Sequence, residues 1–248
     1  MRQAEFRFYA ELNDFLPPER RFTSFDYSFN DAQTVKHLIE SLGVPHTEVD
    51  LVLVNGRSVD FSVNVADGDR VGVYPVFESF DISSVTRVRP EPLRHPRFVL
   101  DAHLGRLAAY LRMLGFDTLY RNDFRDEELA RIAAEERRIL LTKDRGLLKR
   151  SEVTHGYYVR QSAPRRQLAE ILARFDLVRL VRPFTRCMRC NAPLAPVDKS
   201  EVEERVPPRS RELHDEYHRC SGCGRVYWGG SHYSRMTRLI EQVLASVG

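Results

Sequence analysis

The chain has 248 residues, 42% of them hydrophobic and 29% charged, which exceeds the usual ~100–150-residue domain and predicts two or three small units rather than one large core. No apolar run approaches the ~20 residues that span a bilayer, and MRQAEFRFYAEL lacks the basic and then apolar pattern of an export signal, so no membrane segment and a cytoplasmic location are expected. The net charge of +3 conceals an asymmetry: residues 1–82 carry 7 Lys/Arg against 14 Asp/Glu, and the remainder carries 31 against 21. A basic second part suits a polyanion such as RNA and an acidic first part suits a protein partner, although two solvated surfaces give the same count.

In chain order, EFRFYA and RFTSFDYSF alternate apolar and polar residues with the period of half-buried strands. Asn30 or Asp31 is then placed to cap a helix through DAQTVKHLIESL, where Val35, Leu38, Ile39 and Leu42 share a face and Gly43 with Pro45 ends it. Asn55-Gly56 between apolar runs predicts a tight hairpin, and DGDRVGVYPVF a turn followed by a last strand. The order is ββαβββ.

With VNGR and DGDRVGVYP as its local marks, this unit resembles the ubiquitin-like (β-grasp) fold of the small sulfur-carrier proteins. The resemblance implies carrier chemistry only where a free C-terminal Gly-Gly can be activated, whereas here the last strand runs on into VFESFDIS and further sequence. Gly229-Gly230 lies beside the last cysteine pair and is followed by 18 more residues. A binding or positioning module is the expectation.

SVTRVRPEPLRHP, with Pro90, Pro92 and Pro96, reads as an extended connector. From Arg97 the pattern changes to alternating strand and helix: FVLD, HLGRLAAYLRMLG, DTLY, DEELARIAAEERR, ILLT, GYYVR, and a helix opened by Pro164. Such alternation predicts a parallel sheet flanked by helices.

Ligands of parallel sheets gather outside the carboxyl ends of the strands. Asp101 and Asp144 occupy such ends, and Asp123 and Asp126 precede a helix starting on the same side, so four carboxylates are expected to converge. Crowded carboxylates repel one another, and hard oxygen ligands favour Mg²⁺ or Mn²⁺. Each has a plainer explanation: Asp126 suits a helix cap, while Asp123 in RNDF and Asp144 in KDRG suit turns.

LDAHLGRLAAYLRMLGFDTLY, DEELARIAAEERRILLTKDRGLL, CMRC and CSGCGRVYW together resemble the RNase family named after the C-terminal domain of the Mut-seven exonuclease. That family is a branch of the PIN-like nucleases with an attached zinc ribbon, and a ubiquitin-like domain ahead of it looks like a recurrent arrangement. The resemblance covers about residues 97–240 and implies metal-dependent RNA cleavage. It carries catalytic roles and Mg²⁺ or Mn²⁺ ligation to Asp101, Asp126 and Asp144, with Asp123 or Glu127 as a fourth acidic group. Arg106, Lys143 and Arg145 are expected to hold the RNA backbone, although Arg106 also fits a side chain that merely reaches solvent.

Cys187-x2-Cys190 and Cys220-x2-Cys223 supply the four thiolates of a tetrahedral structural zinc site. A redox CxxC would open a helix in a βαβ unit, and a cytoplasmic disulfide is not expected. The 29-residue insertion between the pairs is expected to leave the ribbon as a mobile arm. Tyr227, Trp228, His232 and Tyr233 among Arg219, Arg225 and Arg235 offer stacking faces to single-stranded RNA, or else pack around the zinc.

The expected organisation is a ubiquitin-like domain over 1–82, a linker over 83–96, a PIN-like α/β RNase domain over 97–182, and a zinc ribbon with a C-terminal helix over 183–248. The function read from it is metal-dependent hydrolysis of RNA. The rivals are a nonenzymatic adaptor that binds RNA or protein, and a sulfur-transfer accessory requiring a processed Gly-Gly end.

Overall fold

The first strand, β1 (Arg2–Phe8), buries every second residue, Ala4, Phe6 and Phe8, as its alternation requires. These details come from a computed structural model, which describes residues 1–75, 86–88 and 96–247. β1 pairs antiparallel with β2 (Ser24–Phe29), Arg2 facing Phe29 and Arg7 facing Ser24. Between them lie two 3-10 helices, Ala10–Phe15 and Pro18–Arg20, so the connection is broad rather than a tight turn. The buried Asn13 side chain organises it, donating to the carbonyls of Phe8 (3.0 Å) and Ala10 (2.9 Å) and accepting from Phe22 N (2.7 Å).

α1 (Val35–Ser41) starts later than the sequence suggested: its cap is Thr34, whose Oγ1 accepts from His37 N at 3.3 Å. Asp31 instead takes a left-handed turn conformation (φ 60°), and Val35 N donates to Val63 O, which fixes the helix start against the segment around Val63. β3 (Leu51–Val54) turns into β4 (Arg57–Ser58) through Asn55 and Gly56, both at positive φ (50° and 79°), the geometry of a two-residue hairpin. β5 (Arg70–Tyr74) lies parallel to β1 and antiparallel to β3, giving the mixed order β2-β1-β5-β3-β4. This is the expected β-grasp, with Phe6, Phe8, Leu38, Ile39 and Val73 in its core. The connector and the continuation of the last strand fall almost wholly outside the described residues.

The remaining sequence alternates as expected. β6 (Phe98–Leu100), fully buried, leads through a 3-10 turn (Ala102–Leu104) into α2 (Gly105–Met113), and β7 (Thr118–Tyr120) returns parallel to β6, with Phe98 facing Thr118. α3 (Asp126–Glu135) buries Leu129, Ala130, Ile132 and Ala133, one face of a 3.6-residue period. β8 (Ile139–Thr142), the short α4 (Arg145–Leu148) and β9 (Gly156–Tyr158) follow, β9 parallel to β8. α5 (Pro164–Arg174) begins at its proline. The ribbon comprises β10 (Leu194–Val197), β11 (Tyr217–Cys220) and β12 (Val226–Trp228) in one antiparallel sheet, and the chain ends in α8 (Ser231–Ala245).

The insertion within the ribbon is not a free arm. It forms α6 (Lys199–Val202) and α7 (Pro208–Leu213) and buries Val202 and Val206 against Tyr217, Val226 and Trp228. Two apolar residues four apart supplied the anchor that its many charges masked.

The chain divides into two compact units, Met1–His95 with Asp126–Tyr158, and Pro96–Arg125 with Val159–Gly248. Within the first unit, segment 126–158 is bonded to the β-grasp. Tyr158 N donates to Glu48 Oε1 at 2.6 Å, Lys149 Nζ to Glu40 O at 2.6 Å, and His46 Nε2 meets Val153 O at 2.9 Å. Among the described residues no helix is long and apolar enough to cross a membrane.

Candidate functional site

Asp101, Asp126 and Asp144 each sit at the end or start of a regular element, whereas Asp123 lies in the turn between β7 and α3. The four divide between the units, Asp101 and Asp123 in the second and Asp126 and Asp144 in the first, and among the described residues no carboxylate group of three suited to one ion is found. Asp101 directly follows the buried strand β6 and heads the 3-10 turn into α2, its carbonyl accepting from Leu104 N at 2.9 Å. Asp126 is the exposed first residue of α3. Asp144 caps α4: Oδ1 accepts from Gly146 N (2.6 Å) and Leu147 N (3.3 Å), and its own N–H donates to Thr142 Oγ1 (2.9 Å). Both cap bonds fall on one oxygen, which orients the carboxylate and leaves Oδ2 outside them. Asp123 is differently placed, because Arg121 grips both its oxygens (2.9 and 2.8 Å) and this pairing holds its carboxyl below the usual range. Glu127 faces Arg150 Nη1 at 3.4 Å.

Of the basic candidates, exposed Arg106 lines a pocket of about 540 Å³ with His103, Tyr120 and Ser162 at the start of α2. Tyr120 Oη donates to Ala102 O at 2.9 Å and steadies that wall. Lys143 is half-buried beside Asp144. Arg145 faces the β-grasp: its guanidinium donates to the carbonyls of Phe15 (3.3 Å) and Asp14 (3.4 Å) and lies over the rings of Phe15 (4.9 Å) and Tyr158 (5.5 Å).

The four cysteines do meet. Their sulfurs all lie within 4.8 Å of one another, and among the described residues this is the cluster of three or more His, Cys, Asp or Glu groups suited to one ion. Cys187 and Cys223 are 3.7 Å apart, Cys190 and Cys220 3.3 Å. Tetrahedral Zn–S bonds of ~2.3 Å imply S···S separations of ~3.8 Å, so the donor set fits zinc in type and spacing. Burial alone would raise the Cys187 thiol, but hydrogen bonds from Tyr227 Oη (3.0 Å) and the amides of Cys190 and Arg189 overrule it and bring the thiol down to about 6. Cys190 is pushed up to about 12, first by burial and then by sharing protons with the neighbouring thiols.

A network that the sequence reading missed joins this centre to α2. Buried Arg112 donates from Nε to Thr118 O (2.8 Å) and from Nη1 to Met188 O (3.2 Å) and Arg189 O (2.9 Å), inside the first cysteine pair. Asn191, with φ 72°, accepts from Thr118 N (2.9 Å) and donates to Asp117 Oδ1 (2.8 Å). The GFDT segment is thus a bracket for the knuckle. Asn directly after the second cysteine was the available signal, since Asn tolerates the left-handed conformation. Arg112→Met leaves the buried Thr118 carbonyl without this donor, at ~1–3 kcal/mol, and the part-buried Met188 and Arg189 carbonyls without theirs at a smaller cost. The expected loss is on the order of 3 kcal/mol in denaturant unfolding, with zinc affinity weakened in a competing-chelator titration.

Comparison with curated proteins and with solved structures returned no match. Family models do match: the Mut7-C ubiquitin model over residues 1–81, and the Mut7-C RNAse domain model over residues 96–240, which takes in β6, Asp101, Asp126, Asp144 and all four cysteines. The chain belongs to the Mut7-C RNAse domain family and carries a Mut7-C ubiquitin domain ahead of it.

Proposed function

We propose that the protein is a divalent-metal-dependent ribonuclease in which Asp101, Asp126 and Asp144 hold Mg²⁺ or Mn²⁺ and the four cysteines hold one structural Zn²⁺. The observation that carries this reading is the RNAse-domain match across the whole strand–helix region and the cysteine cluster. Divalent ions at such carboxylates polarise a phosphodiester and lower the pKa of a water.

The chain's own groups prepare that chemistry. Asp144 is oriented in advance by the two hydrogen bonds that its Oδ1 accepts from backbone N–H groups, and Asp101 inherits the rigidity of three buried strand residues. Asp123, committed to Arg121, is left out of the set. Arg106 beside His103 is assigned a backbone phosphate, and Lys143 adds positive charge next to Asp144. Arg145 is already engaged by Asp14, Phe15 and Tyr158, so its role is to fasten the start of α4, next to Asp144, to the β-grasp. The ubiquitin-like part acts as a positioning module, and its acidic surface would receive a protein partner.

Mn²⁺ binding followed by electron paramagnetic resonance on zinc-loaded protein tests the carboxylate assignment. Asp101→Asn, Asp126→Asn and Asp144→Asn should each weaken Mn²⁺ at least about tenfold, since each removes a charged ligand. Wild-type affinity in all three variants would overturn the assignment.

A further inference from the structure

A second pocket, of about 380 Å³, lies in the second unit between the zinc-ribbon strands and α8, well apart in sequence from the proposed carboxylates. Its walls are aromatic: Phe184, Tyr227, Trp228 and Tyr233. Phe184 and Tyr233 already sit ring to ring, with centroids 4.4 Å apart and planes 37° apart, yet Tyr233 remains 40% exposed. A partly exposed aromatic pair in the wall of an aromatic pocket is a surface short of a planar occupant. The pocket is also stiff on one side, because Tyr227 Oη is bonded to Cys187 Sγ at 3.0 Å.

The chemistry around it selects the occupant. His218 and the exposed carboxylate of Glu216 offer hydrogen-bonding groups within the lining, as the polar edge of a nucleobase requires. Arg189 and Arg235, next in the chain to the lining residues Met188 and Met236, are exposed, as is Arg225 two positions before Tyr227. None of the three makes an ion pair among the described residues. Stacking faces flanked by uncommitted arginines match an unpaired base carried on a phosphate backbone. A double helix would present its bases already stacked and unable to enter.

We infer that the pocket between the zinc ribbon and α8 is a binding site for one unpaired base of a single-stranded RNA, held by stacking against Phe184, Trp228 and Tyr233. The substrate class rests on the ribonuclease reading, but the pocket makes no use of the carboxylates.

Trp228 is the only tryptophan of the chain, so its fluorescence reports the pocket directly. Full-length, zinc-loaded protein is titrated, without Mg²⁺ or Mn²⁺, with a short 2′-O-methyl oligoribonucleotide that cannot be cleaved. A saturable change in Trp228 emission is expected, with affinity about tenfold weaker in Phe184→Ala and Tyr233→Ala, in line with the value of a stacked base. Both variants should keep wild-type zinc content and melting, since Tyr233 is exposed and Phe184 only half-buried. The same backbone built of abasic units should leave Trp228 unchanged. Equal responses to abasic and base-bearing strands, undiminished affinity in both variants, or no response at all would overturn the proposal. Asp101→Asn separates the two readings: it should leave this titration untouched while its effect on cleavage is scored independently.

Discussion

Cys190→Ser, or stripping the metal with a strong chelator, is expected to unfold the ribbon. The small core there consists of three buried side chains, Val202, Val206 and Tyr217. At about 1.5–3 kcal/mol each these contribute far less than is needed to order the three strands, whose backbones cost about 1–2 kcal/mol per residue. The shortfall is of the size that a four-thiolate zinc site supplies, ~10–16 kcal/mol in small zinc modules. Trp228, packed against Tyr217 with ring centroids 6.4 Å apart, should shift its emission to the red as the ribbon opens, and protease should cut within residues 191–230. Undisturbed Trp228 emission after complete metal removal would show that packing alone holds the ribbon.

Gly115→Ala should be the most damaging single methyl in the second unit. Gly115 follows α2 with φ +93°, a conformation L side chains rarely adopt, and an added Cβ would lie 2.2 Å from Arg182 O and 2.7 Å from Thr185 Oγ1. The crowding has a cause: the last carbonyls of α2 lack helical partners, and residues 182–184 provide them, Arg182 N donating to Leu114 O and Phe184 N to Met113 O, both at 2.9 Å. Backbone strain and the forced displacement together are expected to cost on the order of 3 kcal/mol in denaturant unfolding. Gly229→Ala, where a Cβ meets nothing within 4 Å, should stay within about 0.5 kcal/mol of wild type and serves as its control. Similar small losses in both variants would contradict the account of how α2 is joined to the ribbon.

The periodic elements were legible because their signals are local. Alternation in EFRFYA marked β1, Asn55-Gly56 marked the β3–β4 turn, Asp126 opened α3, and Pro164 opened α5. The paired CxxC spacing led to the one cluster that the structure assembles outright. Less legible was whatever depends on a distant partner. Thr34 rather than Asn30 or Asp31 starts α1 because Val63 O waits for Val35 N, which no local pattern reveals. Arg145 looked like an RNA contact from its neighbours in LLTKDRG, yet Phe15, some 130 positions away, supplies its partner. Arg112 read as one more arginine on an amphipathic helix, while its burial and its three carbonyl partners come from the cysteine knuckle. The insertion's charges outweighed Val202 and Val206 in the sequence, although two valines suffice to seat it.

A cation-dependent nuclease centre on Asp101, Asp126 and Asp144 is the function we propose. Its most direct test is cleavage of mixed single-stranded and structured RNAs by zinc-loaded protein freed of other divalent ions, before and after Mg²⁺ or Mn²⁺ is restored. Wild type, Asp101→Asn and Asp144→Asn are compared at matched zinc content and melting. Restoring the cation should switch on cleavage in the wild type, and each variant should lose at least about a hundredfold, as expected when a metal-holding charge in the reaction centre is removed. Cleavage at one rate in all three proteins, or RNA binding with no cleavage under any cation, would contradict the account, the latter in favour of an RNA-binding adaptor.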